Sequence, residues 1–148
     1  PMYAAMLEAA AGHDLDFGSL RVCLSAGQAL PVEVLRRFQN TFGCMVLEGY
    51  GLEETSGPAC FNHPAARKVG SIGTPINGVQ MRVVHEHASE VPVGTPGEIQ
   101  VRGHNVMKAY WNSPEATANA FVDGWFSTGD IGRVDEDGYF YRIGRKNI

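Results

Sequence analysis

The densest run of residues suited to chemistry is Glu48-Gly49-Tyr50-Gly51-Leu52-Glu53-Glu54-Thr55-Ser56-Gly57. Two of its glycines, Gly49 and Gly51, let backbone approach a ligand closely, and its adjacent carboxylates can hold a divalent cation such as Mg2+. A glycine-rich turn with solvated acids fits the same residues equally well. Ser25-Ala26-Gly27-Gln28-Ala29 suits a ligand-lining turn, although a plain strand-to-helix connection is the simpler reading. Ser127-Thr128-Gly129-Asp130 would present Asp130 on a turn, where a carboxylate can accept hydrogen bonds from a sugar diol. A local Asx-type turn explains that tetrapeptide as economically. Gly144-Arg145 offers a guanidinium that, beside Asp130, would suit a ribose and a phosphate. His85 and His87 share a strand face, but no third metal ligand stands near them, so solvated edge histidines are the better reading. No nucleophile, histidine and acid combine into a hydrolytic arrangement.

The elements around these segments fall into two styles. Residues 2–11 read as an Ala-rich helix with Met2, Met6 and Leu7 on one side. Leu20 to Ser25 suits a buried strand. Pro31 then opens a helix and Gly43 closes it, with Leu35, Phe38 and Phe42 on one stripe and Arg36, Arg37 and Gln39 facing outward. Met45 to Leu47 form a second buried strand ending at Gly49-Tyr50-Gly51. Strand, helix and strand with short connections make a βαβ unit, which requires a parallel sheet. The carboxyl ends of such strands open onto the crevice where α/β sheets bind ligands, and both glycine-containing segments lie there.

From about Gly70 the period changes to two. Val79, Met81 and Val83 alternate with polar neighbours, as do Ile99 and Val101 with Gln100 and Arg102. Asp135-Glu136-Asp137-Gly138 is a hairpin turn between Gly132–Asp135 and Tyr139–Ile143. One helix interrupts, with Ser113 as its cap, Pro114 first and Glu115 in the first turn. The fold class is therefore α/β plus β, a partial parallel-sheet unit over residues 1–65 followed by a distorted antiparallel β-barrel over 66–145.

Composition excludes several classes. The chain has 148 residues, 12 Lys plus Arg against 16 Asp plus Glu, a formal net charge of −4, and 44% hydrophobic residues. That is the content of a globular domain, and the acidity argues against a nucleic-acid or membrane-surface binder. No run approaches the ~18 apolar residues of a membrane span, and no signal peptide opens the chain. Cys23, Cys44 and Cys60 lack CxxC spacing and cannot all pair, which fits a reduced, cytoplasmic setting. Cys23 and Cys44 sit in apolar runs and read as core. Trp111 and Trp125 read as packing. The start at Pro1 and the stop at Lys146-Asn147-Ile148 suggest a segment of a longer polypeptide. Apolar surface left open by such a cut predicts a chain that self-associates, as a homo-oligomer, or is poorly soluble.

Taken in order, the segments Ser25 to Pro31, Gly49 to Thr55, Gly97-Glu98-Ile99-Gln100-Val101-Arg102-Gly103, Ser127 to Asp130 and Gly144-Arg145 resemble the adenylate-forming superfamily of acyl-CoA synthetases, adenylation domains and luciferases. Phe61-Asn62-His63-Pro64 and Gly70-Ser71-Ile72-Gly73-Thr74-Pro75 look most like its bacterial fatty-acyl-CoA ligase branch. The resemblance spans nearly the whole chain. It implies a fragment of an enzyme that activates a fatty or other hydrophobic carboxylic acid with ATP and Mg2+ and transfers the acyl group to coenzyme A. The other implied readings are a domain loading a carrier protein or an aryl acid, and a non-catalytic nucleotide binder.

Carried over by motif, Gly27, Gln28 and Ala29 would line the adenine and Tyr50 would stack near it. The stretch Glu48, Gly49, Tyr50, Gly51, Leu52 and Glu53 would border the nucleotide and acyl group. Glu54 would be the catalytic residue through its Mg2+, Asp130 would bind the ribose hydroxyls, and Arg145 would help hold the nucleotide. The chemistry calls for charge neutralisation and placement rather than a nucleophilic side chain. The chain departs from the family pattern at Glu53, where Thr is usual, at Ala109, where Gly is common, and at Asn147, the hinge position that usually holds Asp or Lys. Two like charges ~4 Å apart at an effective dielectric of ~20 repel by about 4 kcal/mol, so Glu53 facing phosphate would be costly unless Mg2+ intervenes: either its side chain turns away, or ATP binding is weakened, or the metal site is unusual. The family's phosphate loop would lie before Pro1 and its mobile C-terminal domain after residues 146–148, so this chain alone is expected to be inactive.

Overall fold

The computed structural model describes residues 1–85 and 89–146. The expectation for His87 and that for the hinge residue Asn147 lie outside the described residues. Helix α1 (Met2–Ala10) leads into strand β1 (Val22–Ser25), helix α2 (Val32–Phe42) and strand β2 (Met45–Leu52). A 3-10 turn, Glu53–Thr55, separates β2 from β3 (Gly57–Phe61), and the short β4 (Thr74–Pro75) follows. The remainder is β5 (Val79–Val84), β6 (Gly97–Gly103), α3 (Pro114–Ala120), β7 (Phe121–Val122), β8 (Trp125–Val134) and β9 (Phe140–Arg145).

The expected βαβ unit is present: β1 and β2 are parallel, with Ser25 opposite Glu48. Leu35 and Phe38 on α2 are fully buried, and with Leu7, Phe42, Cys44 and Val46 they form the first core. Burying each such side chain contributes about 1.5–3 kcal/mol, enough to fix the helix against the sheet. Gly43 ends α2 at φ 64°, the left-handed conformation that glycine tolerates without strain. Two expectations on this helix change. Pro31 is the cap rather than the first helical residue. Gln39 does not face outward, because its Oε1 accepts from Val46 N at 2.9 Å and from Arg67.

Strand β2 runs further than the sequence suggested. It continues through Gly49-Tyr50-Gly51 to Leu52 and changes partner on the way, from parallel β1 to antiparallel β3. The order of this mixed sheet is β1-β2-β3-β4. Gly49 and Gly51 are glycines for a packing reason. A Cβ at Gly49 would enter the Phe61 ring, and one at Gly51 would strike the Gly57 carbonyl. On the side where a Cβ would stand, both positions are closed by β3.

The second sheet is antiparallel and curls into a half-barrel, in the order β5-β6-β8-β7 with β9 also on β8. Its core unites Val79, Ile99 and Val101 with Tyr50, Ala59 and Cys60 of the first sheet. The alternation in β6 is broken by Gln100, which is buried, accepting from Arg82 Nε at 2.9 Å and donating to Ser127 Oγ at 3.0 Å. Ser113 caps α3 by position without a side-chain hydrogen bond; Thr117 Oγ1 instead donates to Ser113 O at 2.9 Å. Trp125 packs as expected, with Arg82 and Arg102 stacked on its ring. Trp111 does not pack, being 90% exposed. Gly73 and Phe140 bridge the two sheets. Among the described residues no helix is long and apolar enough to cross a membrane.

Candidate functional site

A cleft of about 300 Å³ lies where the two sheets meet. Its first wall is the β1–α2 connection, including Gly27, Gln28 and Ala29, which are exposed. Gly27 adopts φ 83°, so its backbone conformation calls for glycine. Its floor is Glu48 to Leu52 of β2, and its far wall carries Asp130, Arg142 and Arg145. Topology explains the convergence. The parallel pair delivers the first segment and β2 to one edge, and β8 and β9 close over it from the half-barrel.

Asp130 is not on a turn. It lies within β8, just after Gly129 at φ 71°, and is 1% exposed. Tyr50 donates its hydroxyl to Asp130 Oδ2 at 2.7 Å. Arg142 donates from Nε and Nη2 to Asp130 Oδ1, at 3.0 and 2.9 Å. Burial, with the neighbouring carboxylate, pushes the Tyr50 phenol well above its ordinary value, so it remains a donor. Asp130 N also contacts Thr128 Oγ1 at 3.1 Å, which fixes the backbone here.

Arg145 is the backbone partner of Asp130 across β8 and β9, but the guanidinium on the carboxylate is that of Arg142. Arg142 belongs to none of the motifs that mark the site in the sequence. Counting back from the Asp-Gly hairpin places it opposite Gly132, diagonal to Asp130 on one face, which was the available signal. Arg145 is exposed and lines both this cleft and a neighbouring one of about 640 Å³.

The second cleft carries Leu52, Glu53, Glu54, Pro58 and Phe61. Glu53 opens the 3-10 turn with its side chain exposed. Thr55 anchors that turn, its Oγ1 accepting from Leu52 N at 2.8 Å. Glu54 is half-buried, and its Oε1 accepts from the Tyr110 hydroxyl at 2.8 Å. Tyr110 likewise carries no local signal, since only the tertiary fold brings it to Glu54. Among the described residues no group of three or more His, Cys, Asp and Glu could cage a metal ion. Mg2+ commonly takes one or two carboxylates together with substrate phosphates, so Glu54 fits a cation shared with a nucleotide.

Glu48 is engaged within the protein. Its Oε2 accepts from Gly70 N at 2.8 Å, and burial, partly offset by that bond, raises its carboxyl above the usual range. His85 is exposed beyond the end of β5.

Known proteins match the chain along most of its length. A family model described as AMP-binding enzyme matches residues 1–111. A long-chain-fatty-acid–CoA ligase of Bacillus subtilis is 44% identical over 133 residues, covering 88% of this chain and 24% of that protein. A sulfoacetate–CoA ligase of Cupriavidus necator is 45% identical over 129 residues, covering 85% of this chain and 25% of that protein. The solved O-succinylbenzoate coenzyme A synthetase of Bacillus subtilis, in complex with ATP and magnesium ion, superposes with a TM-score of 0.84 at 31% identity, over 97% of this chain and 30% of that one. The chain therefore spans about a quarter of the length of the curated relatives it matches.

Proposed function

The chain belongs to the AMP-binding enzyme family, and on that premise we propose that the protein, in its full-length form, is an ATP-dependent acid–CoA ligase acting on a fatty or other hydrophobic carboxylic acid. The observation that carries the reading is the buried Asp130 carboxylate, held by Tyr50 and Arg142 inside a cleft that Gly27, Gln28 and Ala29 also line. Such a carboxylate is matched to a ribose diol, with the adenine against the β1–α2 connection. The stretches 1–65 and 66–145 would then be the two subdomains that face each other across the nucleotide.

The chemistry proposed is a two-step transfer. A substrate carboxylate oxygen bonds to the α-phosphorus of ATP and pyrophosphate leaves. The thiol of coenzyme A then takes the acyl group, and AMP departs with loss of the thiol proton. Within this chain the work is placement and charge balance. Asp130 orients the ribose, Arg145 supplies a positive charge to the phosphates, and Glu54 would hold Mg2+. That ion would neutralise phosphate charge when bound. The exposed position of Glu53 lets its carboxylate point away from the phosphates, so the repulsion expected from its sequence position is avoidable.

The second cleft supports a hydrophobic acid. Leu52, Pro58 and Phe61 give it apolar walls, while Glu53 and Glu54 repel a further anion on the acid. A sulfonate, as in the Cupriavidus relative's named substrate, would need a cation there, and among the described lining residues only Arg145 carries one.

The test is carboxylate-dependent ATP–pyrophosphate exchange on the full-length protein with short, medium, long-chain and aryl acids, beside Asp130→Ala. Exchange with fatty acids that falls at least tenfold in the variant is expected. Exchange only with aryl or short acids would move the substrate class. AMP binding without exchange would identify a non-catalytic nucleotide binder.

A further inference from the structure

Asp130 has a problem of supply if it is to take a ribose. An ionised carboxylate has about four acceptor positions, two on each oxygen. Arg142 occupies both positions on Oδ1 with Nε and Nη2, and Tyr50 occupies one on Oδ2. A diol brings two O–H donors, and a single position remains. One of the existing partners must yield before both hydroxyls can bind.

Arg142 is the partner free to yield. Tyr50 is 6% exposed and Asp130 1%, both locked in the core. The Arg142 side chain is 30% exposed and borders the cleft itself. A nucleotide also brings the acceptor that compensates a released guanidinium, because a phosphate hangs from the same ribose, and guanidinium and phosphate match in planar, two-point geometry. Nη1 of Arg142 has no protein acceptor among the described residues, so the group keeps donors in reserve.

We propose that Arg142 is a nucleotide-exchanged latch: of its two bonds to Asp130, it releases at least one to the ribose diol when a nucleotide binds, and turns to the nucleotide's phosphate. The exchange makes Arg142 a specificity residue for phosphorylated over unphosphorylated nucleosides. Adenosine must break the Asp130–Arg142 contact with nothing to replace it, whereas AMP supplies the replacement. The inference rests on the adenine-nucleotide reading of this cleft.

The experiment is calorimetric titration of the full-length protein with adenosine, 2′-deoxyadenosine and AMP, comparing wild type with Arg142→Leu and Arg142→Gln. Leucine removes the latch and the phosphate partner together, so AMP binding weakens about tenfold while adenosine binding holds or tightens several-fold. Glutamine can still donate one bond to Asp130 but carries no charge. It keeps a neutral partner on the buried carboxylate should the leucine variant fail to fold, and it too must lower the AMP-to-adenosine preference. In the leucine variant the advantage of adenosine over 2′-deoxyadenosine must grow, since Asp130 is then open to both hydroxyls. Adenosine and AMP affinities that are unchanged, or that fall by one common factor in both folded variants, overturn the latch while leaving the nucleotide reading intact. A wild-type protein that binds neither ligand overturns both.

Discussion

The Tyr110 hydroxyl donates to Glu54 Oε1 at 2.8 Å, joining residues 56 positions apart. A second tie runs alongside it, from Met107 N to Glu54 O at 2.7 Å. Tyr110 is itself set by Thr117, midway along α3, whose Oγ1 accepts from Tyr110 N at 3.0 Å. The half-barrel thus fixes both the backbone and the side chain of the carboxylate expected to meet a cation. Burial and the neighbouring carboxylate raise the Tyr110 phenol, which keeps it a donor through neutral pH.

Tyr110→Phe removes the donor and keeps the ring. With Oε1 released, Glu54 loses its fixed orientation and the Mg2+ concentration giving half-maximal exchange should rise about three- to tenfold, the scale of one ordinary net hydrogen bond. The KM for the carboxylic acid should hold. An unchanged Mg2+ requirement with normal folding would remove Tyr110 from the metal arrangement.

Gly51→Ala addresses why this strand is rich in glycine. The added Cβ strikes the Gly57 carbonyl, which is backbone and cannot rotate away. Strands β2 and β3 must part at a bulge already present between Tyr50 and Gly51. A loss of about 1–3 kcal/mol of stability is expected, read from the urea midpoint. If stability holds and nucleotide binding alone is lost, the glycine serves a ligand after all.

Lys68 reaches across to the hairpin turn, contacting Asp135 at 2.7 Å and Asp137 at 2.6 Å. The ammonium, with turn N–H donors, holds the Asp135 carboxyl down to about 2. A carboxyl depressed by folding stabilises the fold above its ordinary value near 4, and that contribution disappears as pH falls toward about 2. Asp135→Asn should therefore flatten the decline in thermal midpoint between pH 4 and 2 while lowering the midpoint slightly at pH 7. Parallel curves for the two proteins over that window would show that the pair is neutral.

Much of this architecture was legible because it is local. Pro31 and Gly43 bracketed α2, the period of two marked β5 and β6, and Asp137-Gly138 marked the hairpin between β8 and β9. What escaped depends on partners distant in the chain. Gln39 looks like a surface residue until Arg67 and Val46 arrive to use its carbonyl. Gln100 looks like the outward half of an alternation until Arg82 and Ser127 satisfy it in the interior. Asp130 looked like a turn residue because Gly129 precedes it, whereas β8 accommodates that glycine through a shifted register against β6. Gly49 and Gly51 carried a signal to which the neighbouring strand contributes, since a Cβ at either would strike β3, while both also line the cleft.

The thiols give an alkaline counterpart. Cys23 and Cys44 place their sulfurs 3.7 Å apart at the base of the first sheet. Burial first, then the neighbouring Cys23, push the Cys44 thiol up to about 11, and burial pushes Cys60 up to about 12. Folding therefore disfavours both thiolates. Below the ordinary thiol value near 8.5 the folded and unfolded chains bind these protons equally, and the full stability is present. Above it the unfolded chain ionises first, so stability falls as pH rises toward about 11. Cys44→Ala should lower stability at pH 7, through the lost sulfur packing, yet make its decline between pH 9 and 10 shallower than wild type. Native Cys44 and Cys60 should also resist a thiol-disulfide reagent at pH 8 and react on addition of urea, because the thiolate is the nucleophile. Urea midpoints measured from pH 7 to 10, under reducing conditions, decide the matter. Equal slopes in the two proteins would assign the alkaline loss to other groups, such as the raised phenol of Tyr3 beside this pair.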